Sequence, residues 1–411
     1  MPIDREDGDT VRAPSLKSVM PLSAAAVLLA ALIGPATAAR SASLREVLLV
    51  GNAQGGTVSF VDGRTYRNLG SFDAVPDLDE RLRAMNPVER AGYEAVNRIQ
   101  GYRKLVDDMA VSPDGRTLYV SRGNLSDAVA FDIAGRRMLW RYKIKGFKAD
   151  HAALSADGGH FVVSATTASV AQVIDTATGR LVTDIPTGTY PHANDYSPDG
   201  SLLYNSSIGI TSLPRSLNAL KGARQLTVMD SATLKVVRKH TFEYGIRPAV
   251  FTPDNRTMYA QFSYLNGFAE VDLTTGKITR RVEMPFSEAG GRLAADDYPQ
   301  NSAHHGMAMS ADGGELCVAG TIDDYVAIVD RPGLTTRGYV HYDTGSLPYW
   351  TATAADGRHC SVSLSEKNAI SVVDYETARE VARVPVGDFP QRERLGQVAE
   401  DVIGSLDAAA G

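Results

Sequence analysis

Cysteine is almost absent: Cys317 and Cys360 are the only two in 411 residues. That excludes a C-x-x-C-H haem attachment and any cysteine-built metal module. The G-x-S-x-G nucleophile elbow, the P-loop and the dinucleotide fingerprint are missing as well. Acyl-enzyme hydrolysis and a resident nucleotide cofactor therefore lack their usual carriers. Positive charge is not in excess, with 42 Lys and Arg against 48 Asp and Glu and a net charge of −6. Binding to a nucleic-acid backbone or an anionic membrane surface is disfavoured on that ground.

Long hydrophobic runs are scarce too. The one near the N-terminus, residues 24–33, follows Arg12 and Lys17 and leads into Gly34-Pro35 and Ala36-Thr37-Ala38. These are the three regions of a secretory signal peptide, with cleavage expected after Ala38. The run is too short to cross a bilayer comfortably. The sequence thus predicts a signal peptide over 1–38, no stable membrane span after cleavage, and an exported protein, secreted or periplasmic, over 39–411.

What the chain has in abundance is repetition. "SPDGRTLYVS" at 112 recurs as "SADGGHFVVS" at 155, "SPDGSLLYNS" at 197, "TPDNRTMYAQ" at 252, "SADGGELCVA" at 310 and "AADGRHCSVS" at 354. An apolar residue and Asp close a second signature: "AFDIAG", "VIDTAT", "VMDSAT", "EVDLTT", "IVDRPG" and "VVDYET", with "FVDGRT" at Asp62 opening the series. Asp bonds its own downstream backbone and Gly accepts positive φ, so both signatures are turns. The segments between them alternate with period 2 and are rich in Val, Ile, Tyr and Thr, the pattern of short strands. Repeats of about 40–45 residues with about four strands each predict an all-β, seven-bladed β-propeller of four-stranded blades. The first blade has no S-x-D-G turn of its own, so the C-terminal stretch after "VPVGDFPQRERLG" is expected to close it.

Spacing locates the exceptions. From the first Asp to the second is 18 residues in five blades (114 to 132, for example) but 31 from 199 to 230. From the second Asp to the next turn, two intervals are long: 52 from 62 to 114 and 40 from 272 to 312. Three insertions follow, at roughly 73–106, 206–224 and 286–303, the first with helical periodicity and lying between blades 1 and 2. Strands of a blade are antiparallel, so all three insertions belong to the face opposite the S-x-D-G turns. A scaffold with short turns on one side and long loops on the other displays its site on the second side.

The letters "VSPDGRTLYVS", "VIDTATGRLV" and "VPVGDFP" resemble the YVTN-type seven-bladed propellers, the group that includes YncE-like proteins, over residues 46–390. The resemblance implies the fold. Its relatives include ligand-binding, surface-layer and cofactor-associated proteins, and some related propellers are enzymes. It transfers no catalytic residue, because the shared letters are turns and strand cores.

Counting seven back from each turn Asp reaches the start of each innermost strand on the decorated face: Asp107, Asp150, His192, Arg247, His305 and Tyr349. All six are polar or ionisable, while positions four back are Ala or Val except Asp195. Asp108, His151, His304 and Trp350 stand beside this ring. The leading expectation is a pocket at the channel mouth for a small-molecule or peptide ligand. An enzyme is the alternative, a lyase, hydrolase or assisted oxidoreductase. There His192 or His305 acts as base, Asp107 or Asp150 orients it, Arg247 meets negative charge and Tyr349 forms a hydrogen-bonding wall. His192 and His305, with an Asp, are also suitable ligands for a divalent metal. A third expectation is a protein-interaction scaffold working with another exported protein. Asp195 is expected to pair with Arg247 or His192, or else to bond a neighbouring blade's backbone. Cys317 and Cys360 occupy neighbouring, not equivalent, places in successive repeats, so they are expected to point to opposite faces as buried thiols.

Overall fold

Each alternating run forms a strand, and each Asp-Gly or Asp-Thr signature turns the chain back. A computed structural model of the chain describes residues 43–408; the expected signal peptide lies outside the described residues. Seven four-stranded antiparallel sheets result, each a blade. The seven innermost strands are Asp108–Val111, Ala149–Leu154, Pro191–Tyr196, Ile246–Phe251, Met307–Met309, Pro348–Thr353 and, for the first blade, Pro390–Ala399. The last of these pairs with Leu44–Asn52, so the C-terminal segment does close the first blade, but its strand starts at Pro390, within the stretch after which it was expected. Among the described residues no helix is long and apolar enough to cross a membrane.

Between blades the faces interlock apolar side chains, for example Tyr204 stacked on Phe251 with centroids 3.9 Å apart. The cysteines belong to one such interface and require a correction. Cys317 and Cys360 form a disulfide with Cα atoms 6.4 Å apart. They lie on second strands of adjacent blades, Glu315–Gly320 and His359–Leu364. One residue's offset does turn them to opposite faces of their sheets. In a ring, however, one blade's front face packs on the next blade's back, so the offset aims the two sulfurs at each other.

All three insertions emerge on one side. The first contains α1 (Leu78–Ala84) and α2 (Pro87–Gln100). α2 starts where Asn86 and Glu89 form a reciprocal capping box with Pro87 in the first turn, and it stops at Gly101, whose φ of 83° favours glycine. Gly92 lets α2 approach Phe147; a Cβ there would fall 2.2 Å from the ring. The second and third insertions carry short 3-10 turns, Arg215–Leu220 in one and Gly290–Arg292 to Pro299–Asn301 in the other.

Candidate ligand site at the channel mouth

The three insertions meet over the channel and enclose a cavity of about 450 Å³. Val88, Ala95, Val96 and Ile99 of α2, together with Phe147, make an apolar wall. Thr211 reaches it from the second insertion and Gln300 from the third. The opposite wall is polar: Asp150, His192, Arg247 and Tyr349 of the expected ring, joined by Lys104 and Lys148. Asp107 and His305 stand just behind that wall and do not line the cavity. Asp107 pairs with Lys104 at 3.1 Å, and the His305 ring packs on Tyr349 with centroids 4.2 Å apart. The six positions counted from the turns are thus brought together at one mouth.

Local backbone explains a feature that simple alternation hides. The innermost strands of five blades shift register at their start, between Ala149 and Ala152, Pro191 and Ala193, Ile246 and Ala249, Pro348 and Thr351, and, in the closing strand, Pro390 and Arg392. A bulge of this kind lets consecutive side chains face the same side. His151 consequently joins the channel beside Asp150, and its ring meets His192 with centroids 4.5 Å apart. His192 in turn faces His305 at 5.5 Å. His304 obeys alternation instead and turns away, toward the Tyr325 hydroxyl at 3.4 Å.

Electrostatics sort these groups into matched and unmatched. Burial works to raise Asp150, but Lys148 at 2.7 Å leads the opposing contributions that together hold the carboxyl low. Burial works to lower Lys104, yet Asp107 keeps it protonated and pushes it up. Burial drives His151, His192 and His305 well below the usual imidazole range, and the nearby Arg247, Arg392 and Lys104 add to this. The three rings are neutral at neutral pH. Arg247 is pulled down to about 10 by burial, which still leaves it charged. It donates to the Ser263 hydroxyl at 3.1 Å and to the Gln300 carbonyl, and no carboxylate of the described residues pairs with it.

Asp195 requires a second correction. Its partner is neither Arg247 nor His192 but Arg394, at 3.3 Å, one step deeper in the channel. Arg394 also donates to Asp108 at 2.9 and 3.0 Å, and Asp108 takes Arg392 at 3.0 Å. The Arg392 guanidinium lies 3.5 Å from the centre of the Trp350 ring. Both arginines sit on the closing strand, which has no S-x-D-G turn from which to count. A different signal could have found them: "DFPQRER" aligns by its proline with "TYPHAND" and "SLPYWTA". That alignment makes Gln391 the seventh ring residue and places Arg394 at Asp195's level.

The fold and the mouth define a seven-bladed β-propeller with a polar channel capped by three insertions. No protein-family model matches the chain, and no curated protein matches it. Among solved structures it is similar to a chain of hydrazine synthase from Kuenenia stuttgartiensis, with TM-score 0.58 and 21% identity, over 80% of this chain and 92% of that one. At that identity the likeness establishes the propeller fold alone, and the YVTN-type resemblance rests on the repeat letters.

Proposed function

We propose that this is an exported propeller that binds a small or peptide-like organic anion with an apolar body at the channel mouth. Arg247 carries the reading. Lys104 and Lys148 are each matched to a carboxylate, whereas Arg247 is a buried cation in the cavity wall without one. A buried charge of this kind is costly unless something completes its pairing. Across the cavity, Val88, Ile99 and Phe147 present apolar surface that remains partly open to solvent, suited to the ligand's body. Few convergent polar groups against an apolar wall is the common plan of small-ligand pockets.

The test is calorimetry and thermal shift with a panel of amphipathic carboxylates. Wild-type protein should bind at least one member, and Arg247→Gln should weaken that binding by about tenfold or more, the scale of one charge-assisted contact. Equal affinity in the two folded proteins, or no binding from any member, refutes the reading. One contact favours acid–base catalysis at the same mouth as a second reading: His151 Nδ1 lies 2.9 Å from the Asp107 carboxylate. Turnover of a bound ligand that is lost in His192→Ala with binding retained would place the enzyme first.

A further inference from the structure

Beside the mouth cavity, polar atoms are left without partners in an unusual concentration. His151 and His305 are almost wholly buried and His192 is 5% exposed. They come from the third, fourth and sixth blades, yet one ring nitrogen of each lies within 4.8 Å of those of the other two. Every one of the three rings has at least one buried nitrogen with no hydrogen-bond partner, Nδ1 of His192 and Nε2 of His305 among them. Buried imidazole nitrogens ordinarily find a donor or acceptor, so three adjoining rings that each carry an orphan call for an occupant.

We propose that His151, His192 and His305 form a three-imidazole site for a divalent transition ion of the zinc or copper class, with a further coordination position open toward the mouth cavity. Imidazole ligands without thiolate suit these ions, and three protein ligands with an open position is the plan of a reactive, not a structural, centre. Bonds of about 2.0–2.1 Å in tetrahedral geometry place ligand nitrogens about 3.3 Å apart, so each ring must move by on the order of 1 Å to close on the ion. The surroundings hold one of the rings in place. His305 Nδ1 lies 3.3 Å from the Tyr349 carbonyl, the kind of outer contact that orients a ligating imidazole, while His151 Nδ1 lies 2.9 Å from the Asp107 carboxylate without hydrogen-bonding it. Of the nearby cations, Lys104, Lys148 and Arg392 are balanced by Asp107, Asp150 and Asp108. Arg247 has no carboxylate among the described residues and opposes the ion's charge until an anion joins it. His192 forms part of the cavity wall, which sets the open position toward the ligand. The site deepens the reading of the mouth as a ligand pocket, but it is tested with the metal alone.

The experiment strips the full-length mature protein with chelator and then titrates it with Zn²⁺, Cu²⁺ and Co²⁺ separately, reading stoichiometry by elemental analysis and affinity by calorimetry. One equivalent per chain is expected for at least one ion. His151→Ala and His305→Ala should each weaken it by roughly 100-fold or more, and Asp107→Asn by about tenfold. His240→Ala, remote from the channel, should leave binding unchanged. Circular dichroism identifies which variants remain folded. Should an alanine variant unfold, the His151→Gln and His305→Gln proteins supply the comparison. Stoichiometry near zero for all three ions in folded wild-type protein overturns the proposal, as does one equivalent retained at unchanged affinity in the folded histidine variants. Binding of the carboxylate panel to the metal-stripped protein decides the pocket reading separately.

Discussion

The two ends of the channel are built from the same strands and could hardly differ more. On the turn face five blades repeat one arrangement: a Ser or Thr hydroxyl donates to the Asp two residues on and accepts the backbone N–H five residues on. The Ser197 copy has Asp199 at 2.6 Å and Leu202 N at 2.9 Å, and the Ser310 copy has Asp312 at 2.7 Å and Glu315 N at 2.9 Å. The sixth turn, which has Ala354 in place of the hydroxyl, uses Asp356 to hold His359 and the Tyr66 hydroxyl. On the insertion face no two blades present the same residue pair, and the orphaned nitrogens of His151, His192 and His305 cluster there. Where every copy solves the same folding problem the residues converge, and in five turns the hydroxyl and its Asp satisfy each other. Where the copies diverge, a cluster of buried imidazole nitrogens goes unsatisfied, a departure that folding alone does not require.

The channel's own stability provides the strongest way to break this comparison. Asp108 is fully buried and holds Arg392 and Arg394 together. Burial works to raise its carboxyl, but the two guanidinium groups outweigh it and hold it low. Asp108→Ala strands Arg392 and leaves Arg394 with Asp195 as its one carboxylate, and removing one partner of a buried ion pair costs about 3–5 kcal/mol. Chemical denaturation should show a loss of that order, and a loss under about 1 kcal/mol would mean that the channel network is incidental. The sign also follows: a carboxyl depressed in the folded state contributes stability above its unfolded value near 4, and this is lost as pH falls through the folded value.

Nearly all of the fold was legible because propeller blades are local: a strand pair and its turn repeat every few dozen residues, and each copy confirms the last. The insertions were legible as departures from that count. The site was legible only where the count could reach. Asp150, His192, Arg247 and Tyr349 were found at the mouth because each precedes a turn by seven residues. Arg392 and Arg394 escaped because their strand arrives from the far end of the chain, paired with Leu44–Asn52. Lys104 and Lys148 escaped because they precede the counted strand starts. His151 was set beside the ring because a bulge cannot be read from alternation. The disulfide was missed because the two repeats were compared as separate sheets, whereas the ring places their opposite faces in contact.

A smaller effect sharpens the comparison from the closing strand. Glu393 points away from Arg392 and Arg394, is 1% exposed, and burial pushes its carboxyl up to about 8, with the Ser361 hydroxyl partly offsetting that. A carboxyl raised in the folded state contributes stability that is complete below its unfolded value near 4.5 and fades as pH rises toward the folded value. In that window the unfolded chain ionises first, so stability should fall by up to about 1.4 kcal/mol per pH unit. Glu393→Gln should flatten this slope between about pH 5 and about pH 8 and stabilise the protein at the upper end. An unchanged slope in denaturation midpoints across that range would show that the carboxylate is already relieved in the folded protein.

The smallest effect belongs to the turn face, and its smallness is the point. Ser197 is buried and makes two hydrogen bonds that only close its own turn. Ser197→Ala should cost about 1 kcal/mol, the usual net worth of such bonds. Five other turns hold their blades independently, and changes at well-separated sites add rather than couple. Nothing should therefore reach the mouth: affinity for a carboxylate and for a metal ion should match wild type within about twofold, less than about 0.4 kcal/mol. A tenfold change in either affinity would show that the repeated turns and the divergent mouth are coupled along the innermost strand Pro191–Tyr196, which carries Ser197 just past one end and His192 near the other. Equal affinities, with the unfolding midpoint lowered, leave the two ends of that strand with separate jobs.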